Sequence, residues 1–271
     1  MVGLKSLRAS ASYLIKKYEV SVRETATVLS LNRSTMTYKP RPSKDEALEK
    51  RMKELAAKHR RFGLPRIHFF LKKEKLVIND KRTERIYNKL GLQLKKRRRQ
   101  KLMAVTRVPH NKATRPNEIW SFDFVFDRFE NNRSLKTLTI VDDCSKRSPG
   151  LLANFSITSE DMINFFGSFP NLPKKLRCDN GPEMSSRKFM DWAFNNNIAI
   201  EYIQPGKPIQ NAFIESFNSR FRDECLNEHL FHDLKDAKKK IEKWRREYNE
   251  ERPHSSLGMK TPVDFEKGFK D

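Results

Sequence analysis

From residue 119 the pattern changes to short apolar runs of strand type bounded by turn residues, and a buried strand must pair its backbone with neighbouring strands. Residues 119–126 and 135–141 read as two strands, with Asn131-Asn132 between them as a hairpin turn. Residues 150–155 make a third. The pattern then alternates: a helix over 158–169, a strand over 175–178, a helix over 185–195, a strand over 198–203 and a longer helix over 210–228. A three-strand meander followed by alternating helix and strand specifies an α/β domain with a mixed five-stranded sheet.

The preceding residues differ in period and in charge. Residues 1–114 hold 31 Lys and Arg against 9 Asp and Glu, while the rest of the 271-residue chain holds 25 against 25. All of the net charge of +22 therefore lies in the first two fifths. A basic segment of this density is an electrostatic footprint for a polyanion. It lacks the amphipathic basic helix with an aromatic face that a lipid surface would select.

Within it, Ser21 and Glu24 have capping-box spacing, so a helix is expected from Val22. Leu31 and Asn32 make a turn, and Asn32 is placed to cap a second helix that Pro40 ends. This helix-turn-helix, residues 1–42, would present Arg33, Ser34 and Thr35 to a DNA groove. A second helical module, residues 43–95, is expected from helices over 44–60, 65–74 and from Asn79 to Gly91, with Lys81, Arg82 and Arg85 exposed. Its alternative is a helical spacer. Lys95, Lys96, Arg97, Arg98 and Arg99 form an unbroken basic run leading into a linker over 96–117; in a bacterial protein the run would lie along phosphates, in a eukaryotic one it would serve as a nuclear localisation signal, and the residues alone leave both open.

Other classes are set aside by composition. No run of eighteen apolar residues is present, and the first residues lack the apolar stretch of a secretory signal, so a cytoplasmic, nucleoid-associated protein is expected. Cys144, Cys178 and Cys225 are scattered and suggest neither disulfides nor zinc.

The element order of the second segment is that of an RNase H-like core, residues 118–232, followed by a C-terminal helix and tail, residues 233–271. In such a core, carboxylates from different strands and a helix meet at one point. Asp123 lies inside the first strand between aromatic residues, where an ionised side chain needs a metal or hydrogen-bonding partners. Asp179 ends a short strand before the turn residues Asn180-Gly181-Pro182. Glu215 lies early in the long helix, on a face shared with Asn211, Asn218 and Arg222, while Phe213, Phe217 and Phe221 mark the core side. Asp142 and Asp143, at the end of the second strand, are the best rivals to Asp123. Asn211 and Asn218 are candidate polar neighbours or DNA contacts, and Lys207, Arg220 and Arg222 candidate phosphate contacts.

These motifs resemble one family. Trp120-Ser121-Phe122-Asp123-Phe124, Asp179-Asn180-Gly181-Pro182-Glu183, the run from Gln204 to Asn218, Arg222-Asp223-Glu224, Tyr248-Asn249 and the stretch Arg252-Pro253-His254-Ser255-Ser256-Leu257-Gly258 are similar to the catalytic core of OrfB-type transposases of bacterial insertion sequences. That group is the insertion-sequence-three family of the retroviral-integrase superfamily. Its spacing of thirty-five residues between the second and third carboxylates is met by Asp179 and Glu215. Arg61-Phe62-Gly63-Leu64-Pro65-Arg66-Ile67 resembles the helical module before that core, although Leu64-Pro65 departs from the usual aromatic-basic pair.

The resemblance implies cleavage of the ends of a mobile element and DNA strand transfer, with Asp123, Asp179 and Glu215 holding two Mg²⁺ ions, for which Mn²⁺ can substitute. Phosphodiester exchange needs an activated nucleophile and a stabilised leaving oxygen, and paired hard cations on carboxylates supply both. Implied partners are double-stranded DNA, as terminal inverted repeats and target, a homo-oligomer formed on it, and an upstream DNA-binding partner or frameshift fusion. Two alternatives stay open from the residues alone: a DNA-binding repressor, and a structure-directed nuclease of the RNase H type.

Overall fold

A computed structural model of the chain describes residues 4–38, 45–94, 113–203 and 211–269. The chain divides into two compact units, residues 1–47 and 48–271.

In the first unit, α1 (Leu4–Tyr18) packs against α2 (Val22–Val28) and α3 (Arg33–Thr37). The expected capping box is present: the Glu24 amide donates to Ser21 Oγ at 3.2 Å and the Ser21 amide to Glu24 Oε2 at 3.1 Å. Asn32 occupies the N-cap position of α3, but its side chain makes no cap hydrogen bond. α1 has no acidic residue in its first turn, and sequence reasoning passed over it.

The second unit opens with α4 (Glu46–Lys58), α5 (Leu64–Lys73) and α6 (Asp80–Lys89). Leu48, Met52, Leu55, Ile67, Leu71 and Ile86 close a small core between them. α5 begins at Leu64 with Pro65 in its first turn, where a missing N–H costs nothing. Asn79 accepts the Lys81 amide at 2.9 Å to cap α6, and Gly91, at φ +67°, follows its end in the left-handed conformation that glycine adopts most readily.

The sheet that follows has the order β3-β2-β1-β4-β5. β1 (Ile119–Arg128) pairs antiparallel with β2 (Ser134–Asp142), and β2 with β3 (Leu151–Asn154). β4 (Lys175–Cys178) adds parallel to β1, and β5 (Ala199–Tyr202) parallel to β4. This is the mixed five-stranded sheet expected for an RNase H-like core, and β1 is its centre.

Alternation along β1 sends its side chains to two cores. Trp120 and Phe122 face α7 (Ser159–Gly167) and α8 (Arg187–Asn195), packing with Phe166 and Phe189. Val125 joins the other side, where α9 (Ala212–Glu224) and α10 (Leu234–Glu250) bury Ile214, Phe217, Phe221 and Trp244. Asp123 shares the Val125 face, so α9 lies over it.

α9 ends at Glu224, short of residue 228. Cys225 leaves helical geometry, a 3₁₀ turn spans Leu226–Glu228, and both Cys225 and Leu226 are buried. The tail then forms a 3₁₀ turn (Ser255–Leu257) and α11 (Pro262–Lys267). Asn249 fastens α10 to the loop before β3, accepting the Ser148 amide and donating to the Ser148 carbonyl, both at 2.9 Å.

Candidate active site

Asp123 is half-buried in the middle of β1, directly opposite Thr139 of β2. Its Oδ1 accepts the Phe124 amide at 2.7 Å, and its Oδ2 accepts Asn218 Nδ2 of α9 at 2.9 Å. Asn218 cannot turn freely, because its Oδ1 lies 2.7 Å from the Thr139 hydroxyl, itself 3.0 Å from the Asp123 carbonyl. A strand residue, its cross-strand partner and the helix above are thus tied into one network. Burial pushes the Asp123 carboxyl up to about 6, repulsion from Asp179 and Glu215 pushes the same way, and the Phe124 amide and Asn218 oppose it.

Asp179 follows β4 and is exposed, with Oδ1 accepting the Gly181 amide at 3.1 Å. That turn also carries Glu183, which Lys136 of β2 holds at 2.5 Å. Lys136 is nearly buried, its Nζ 3.9 Å from the centre of the Phe124 ring, so the ion pair is sheltered. The loop bearing Asp179 is therefore pinned to the sheet beside Asp123.

Glu215 stands exposed on α9, one helical turn after Asn211. Neither it, nor Asp123, nor Asp179 has an ion-pair partner among the described residues. Asp123 is within electrostatic reach of both others, yet among the described residues no three His, Cys, Asp or Glu side chains stand close enough to hold a metal ion. The donor chemistry, hard carboxylate oxygens with excess negative charge, fits Mg²⁺ or Mn²⁺.

The rivals have other employment. Asp142 is buried and accepts the amides of Asn117, Cys144 and Ser145 at 2.7, 2.9 and 2.7 Å, which shapes the turn after β2. Asp143 pairs with Arg177 at 2.6 Å, both side chains 1% exposed, and accepts the Ser121 hydroxyl at 2.6 Å.

The candidate DNA contacts fall in several places. Arg33 and Ser34 are exposed on α3 and Thr35 is half-buried; Lys81 and Arg85 are exposed on α6 and Arg82 is half-buried. Asn218 spends its amide on Asp123, and Arg222 is exposed with Nη2 donating to the Phe126 carbonyl at 3.1 Å. Asn211 is buried, and its Oδ1 has no hydrogen-bond partner among the described residues. Lys95, Lys96, Arg97, Arg98, Arg99 and Lys207 lie outside the described residues. Cys178 and Cys225 are buried free thiols, and His254 packs against Tyr248.

Sequence reasoning missed Thr139 and Lys136 as site neighbours, and it quoted Glu183 in the Asp179 motif without seeing that Lys136 anchors it. A signal existed in β2, where Lys136, Thr137 and Thr139 interrupt an apolar strand and each polar group needs a partner.

Comparison with known proteins agrees with this layout. Residues 113–208 and 196–262 each match a family described as an integrase core domain, and residues 43–100 match an HTH-like domain. A 31.7 kDa protein of insertion element IS407 from Burkholderia multivorans is 40% identical over 258 residues, covering 94% of this chain and 93% of that one. A 39.2 kDa protein of insertion element IS476 from Xanthomonas euvesicatoria is 38% identical over 267 residues, covering 97% and 77%. The transposase for insertion sequence element IS904 from Lactococcus lactis is 26% identical over 249 residues, covering 84% and 98%. In fold, a chain of the simian T-cell lymphotropic virus intasome superposes with a TM-score of 0.50 at 16% identity, covering 79% of this chain and 74% of that one. Two integrase-core matches that together span residues 113–262, with relatives this similar along nearly the whole chain, place it in the OrfB-type transposases of bacterial insertion sequences, within the retroviral-integrase superfamily.

Proposed function

We propose that this transposase cleaves the ends of its mobile element and joins the freed 3′ ends to target DNA, using Asp123, Asp179 and Glu215 as ligands for two Mg²⁺ ions. The observation that carries the reading is Asp123: a carboxylate held by Asn218 and the Phe124 amide, repelled by Asp179 and Glu215, with no counter-ion among the described residues. When bound, the ions would activate the attacking water or 3′-hydroxyl and stabilise the leaving oxygen. Asn218 fixes which Asp123 oxygen faces away from α9. Glu183, anchored by Lys136, holds the Asp179 loop in register, and the rigid packing of α9 fixes Glu215. No group of the chain has to be acylated or phosphorylated, so one set of carboxylates serves both cleavage and joining.

The DNA-binding side of the reading rests on the two helical segments. α3 and α6 would contact the terminal inverted repeats through Arg33, Ser34 and Thr35 and through Lys81, Arg82 and Arg85. Lys95–Arg99, Lys207, Asn211 and Arg222 would lie along the backbone of the repeat or the target, with two or more copies pairing the ends in the cytoplasm, on the nucleoid. No helix among the described residues is long and apolar enough to cross a membrane.

The test uses purified full-length chain, labelled terminal-repeat DNA and Mg²⁺. Glu215→Gln removes one anionic ligand at nearly constant volume, and nicking and joining should fall by at least about 10³-fold, since charge stabilisation by the ions contributes several kcal/mol. Unchanged rates would sink the assignment.

A further inference from the structure

Between the HTH-like module and α9 runs a cleft of about 960 Å³. The module lines it with Arg61, Pro65 and Arg66, and α9 lines it with Glu215, Arg220 and Asp223. Glu215 thus faces a space whose opposite wall belongs to a different folding module of the same compact unit.

The guanidinium groups there are unequally served. Arg252 is nearly buried and forms a fork with Glu224 at 2.8 and 2.6 Å, which accounts for that carboxylate. Arg66 donates Nε to the Pro253 carbonyl at 3.2 Å, and its Nη groups have no partner among the described residues. Its cation is disfavoured, pushed down to about 10 by burial and by the neighbouring Arg252 charge. Among the described residues Arg220 reaches only Ser216, one turn back on its own helix, and burial and Arg252 lower it as well. Neither Arg66 nor Arg220 meets a carboxylate within ion-pair distance among the described residues.

An arginine that is half-buried, short of counter-charge and held by its neighbours is built for an oxyanion, because its planar fork matches phosphate oxygens. The volume is at the upper end for a small-molecule pocket, and among its mixed apolar and polar walls four arginines, Arg61, Arg66, Arg220 and Arg252, stand against three carboxylates, Glu215, Asp223 and Glu224, of which Glu224 is taken by Arg252. An extended polyanion fits better than a compact ligand. We infer that this cleft takes the phosphate backbone of the DNA strand being processed, gripped by Arg66 from the HTH-like module and Arg220 from α9, and leads it to Glu215. The module is then part of the active-site wall of its own chain, beyond its role in recognising the end. This rests on the reading of Glu215 as a catalytic ligand.

Binding without catalysis separates the two claims. A short fluorescent duplex of mixed sequence with a single-stranded 3′ overhang is titrated with full-length chain in EDTA across a salt series. Each phosphate contact contributes nearly one to the slope of log K against log salt, so Arg220→Gln should lower the slope by about one and Arg66→Gln with Arg220→Gln by about two. Arg66→Lys keeps the charge and should restore the share lost at Arg66, which guards against mere undocking of the module. Ser219→Cys, on the cleft wall, should form a disulfide with a thiol-bearing phosphate near the 3′ end, and the unsubstituted chain should not. Unchanged slopes in the Arg variants, or no cross-link, overturn the inference even if Mg²⁺-dependent nicking is intact. Reduced slopes with the cross-link, in a chain that never nicks, uphold the cleft as a DNA site and sink the catalytic reading instead.

Discussion

Asn218 shows how much of this site depends on a residue that carries no charge. Its amide is oriented by Thr139 and committed to Asp123, so Asn218→Ala should leave Asp123 free to rotate. Loss of an outer partner of this kind reduces metal affinity or activity by about 10–100-fold. Single-turnover nicking should show that drop while the melting temperature stays within a few degrees of the parent. His254 is a different case. Burial, helped by the positive charges of Arg252, Arg220 and Arg66, pushes it down to about 3. The neutral ring is the native form, and the unfolded chain takes up a proton first as the pH falls below about 6.5. Stability from this residue is present above that pH and lost below it, by about 2 kcal/mol at pH 5. Urea melts of the parent and of His254→Phe at pH 7 and pH 5 should differ in pH dependence by that amount; identical dependence contradicts the assignment. At this scale the sequence made Asp179 and Glu215 conspicuous through local motifs. It could not reveal the partner of Asn218, because helical spacing tells which face a residue shares but not what lies opposite.

At the scale of elements, strand alternation and one helix do most of the positioning. The β1–β2 register sets Asp123 against Thr139, and α9 is clamped over both by Phe217, whose ring meets Trp244 and Tyr248 at 5.6 and 5.0 Å. Phe217→Ala empties a fully buried site and should cost about 3–5 kcal/mol in equilibrium unfolding. A cost under about 1 kcal/mol would mean that α9 is not held as described. The elements themselves were largely legible: residues 175–178 form the expected strand, and the capped helices start where Ser21 and Asn79 announce them. The end of α9 was not, because the break at Cys225 comes from burying Cys225 and Leu226 in the core shared with α10, and no local turn residue marks it. α1 escaped notice for a related reason, since a helix with no acidic residue in its first turn leaves little local trace.

Across the whole molecule, the tail motif around Arg252 and His254 has a use that its sequence does not announce. Arg252 lies against the Phe62 ring and Arg66 donates to Pro253, so the tail fastens the HTH-like module to the core within one compact unit. The charge asymmetry pointed to DNA but could not tell that the basic module would wall the space facing Glu215. The three carboxylates come from the central strand, the loop after β4 and the helix above, so only the complete core brings them within reach of Asp123. Their joint claim on a divalent ion is tested most directly by paramagnetic resonance titration of Mn²⁺ into the full-length chain with a bound DNA end. The account predicts bound Mn²⁺ in the parent and its loss in each of Asp123→Asn, Asp179→Asn and Glu215→Gln with DNA affinity in EDTA retained; Mn²⁺ bound equally by the parent and all three variants would contradict it.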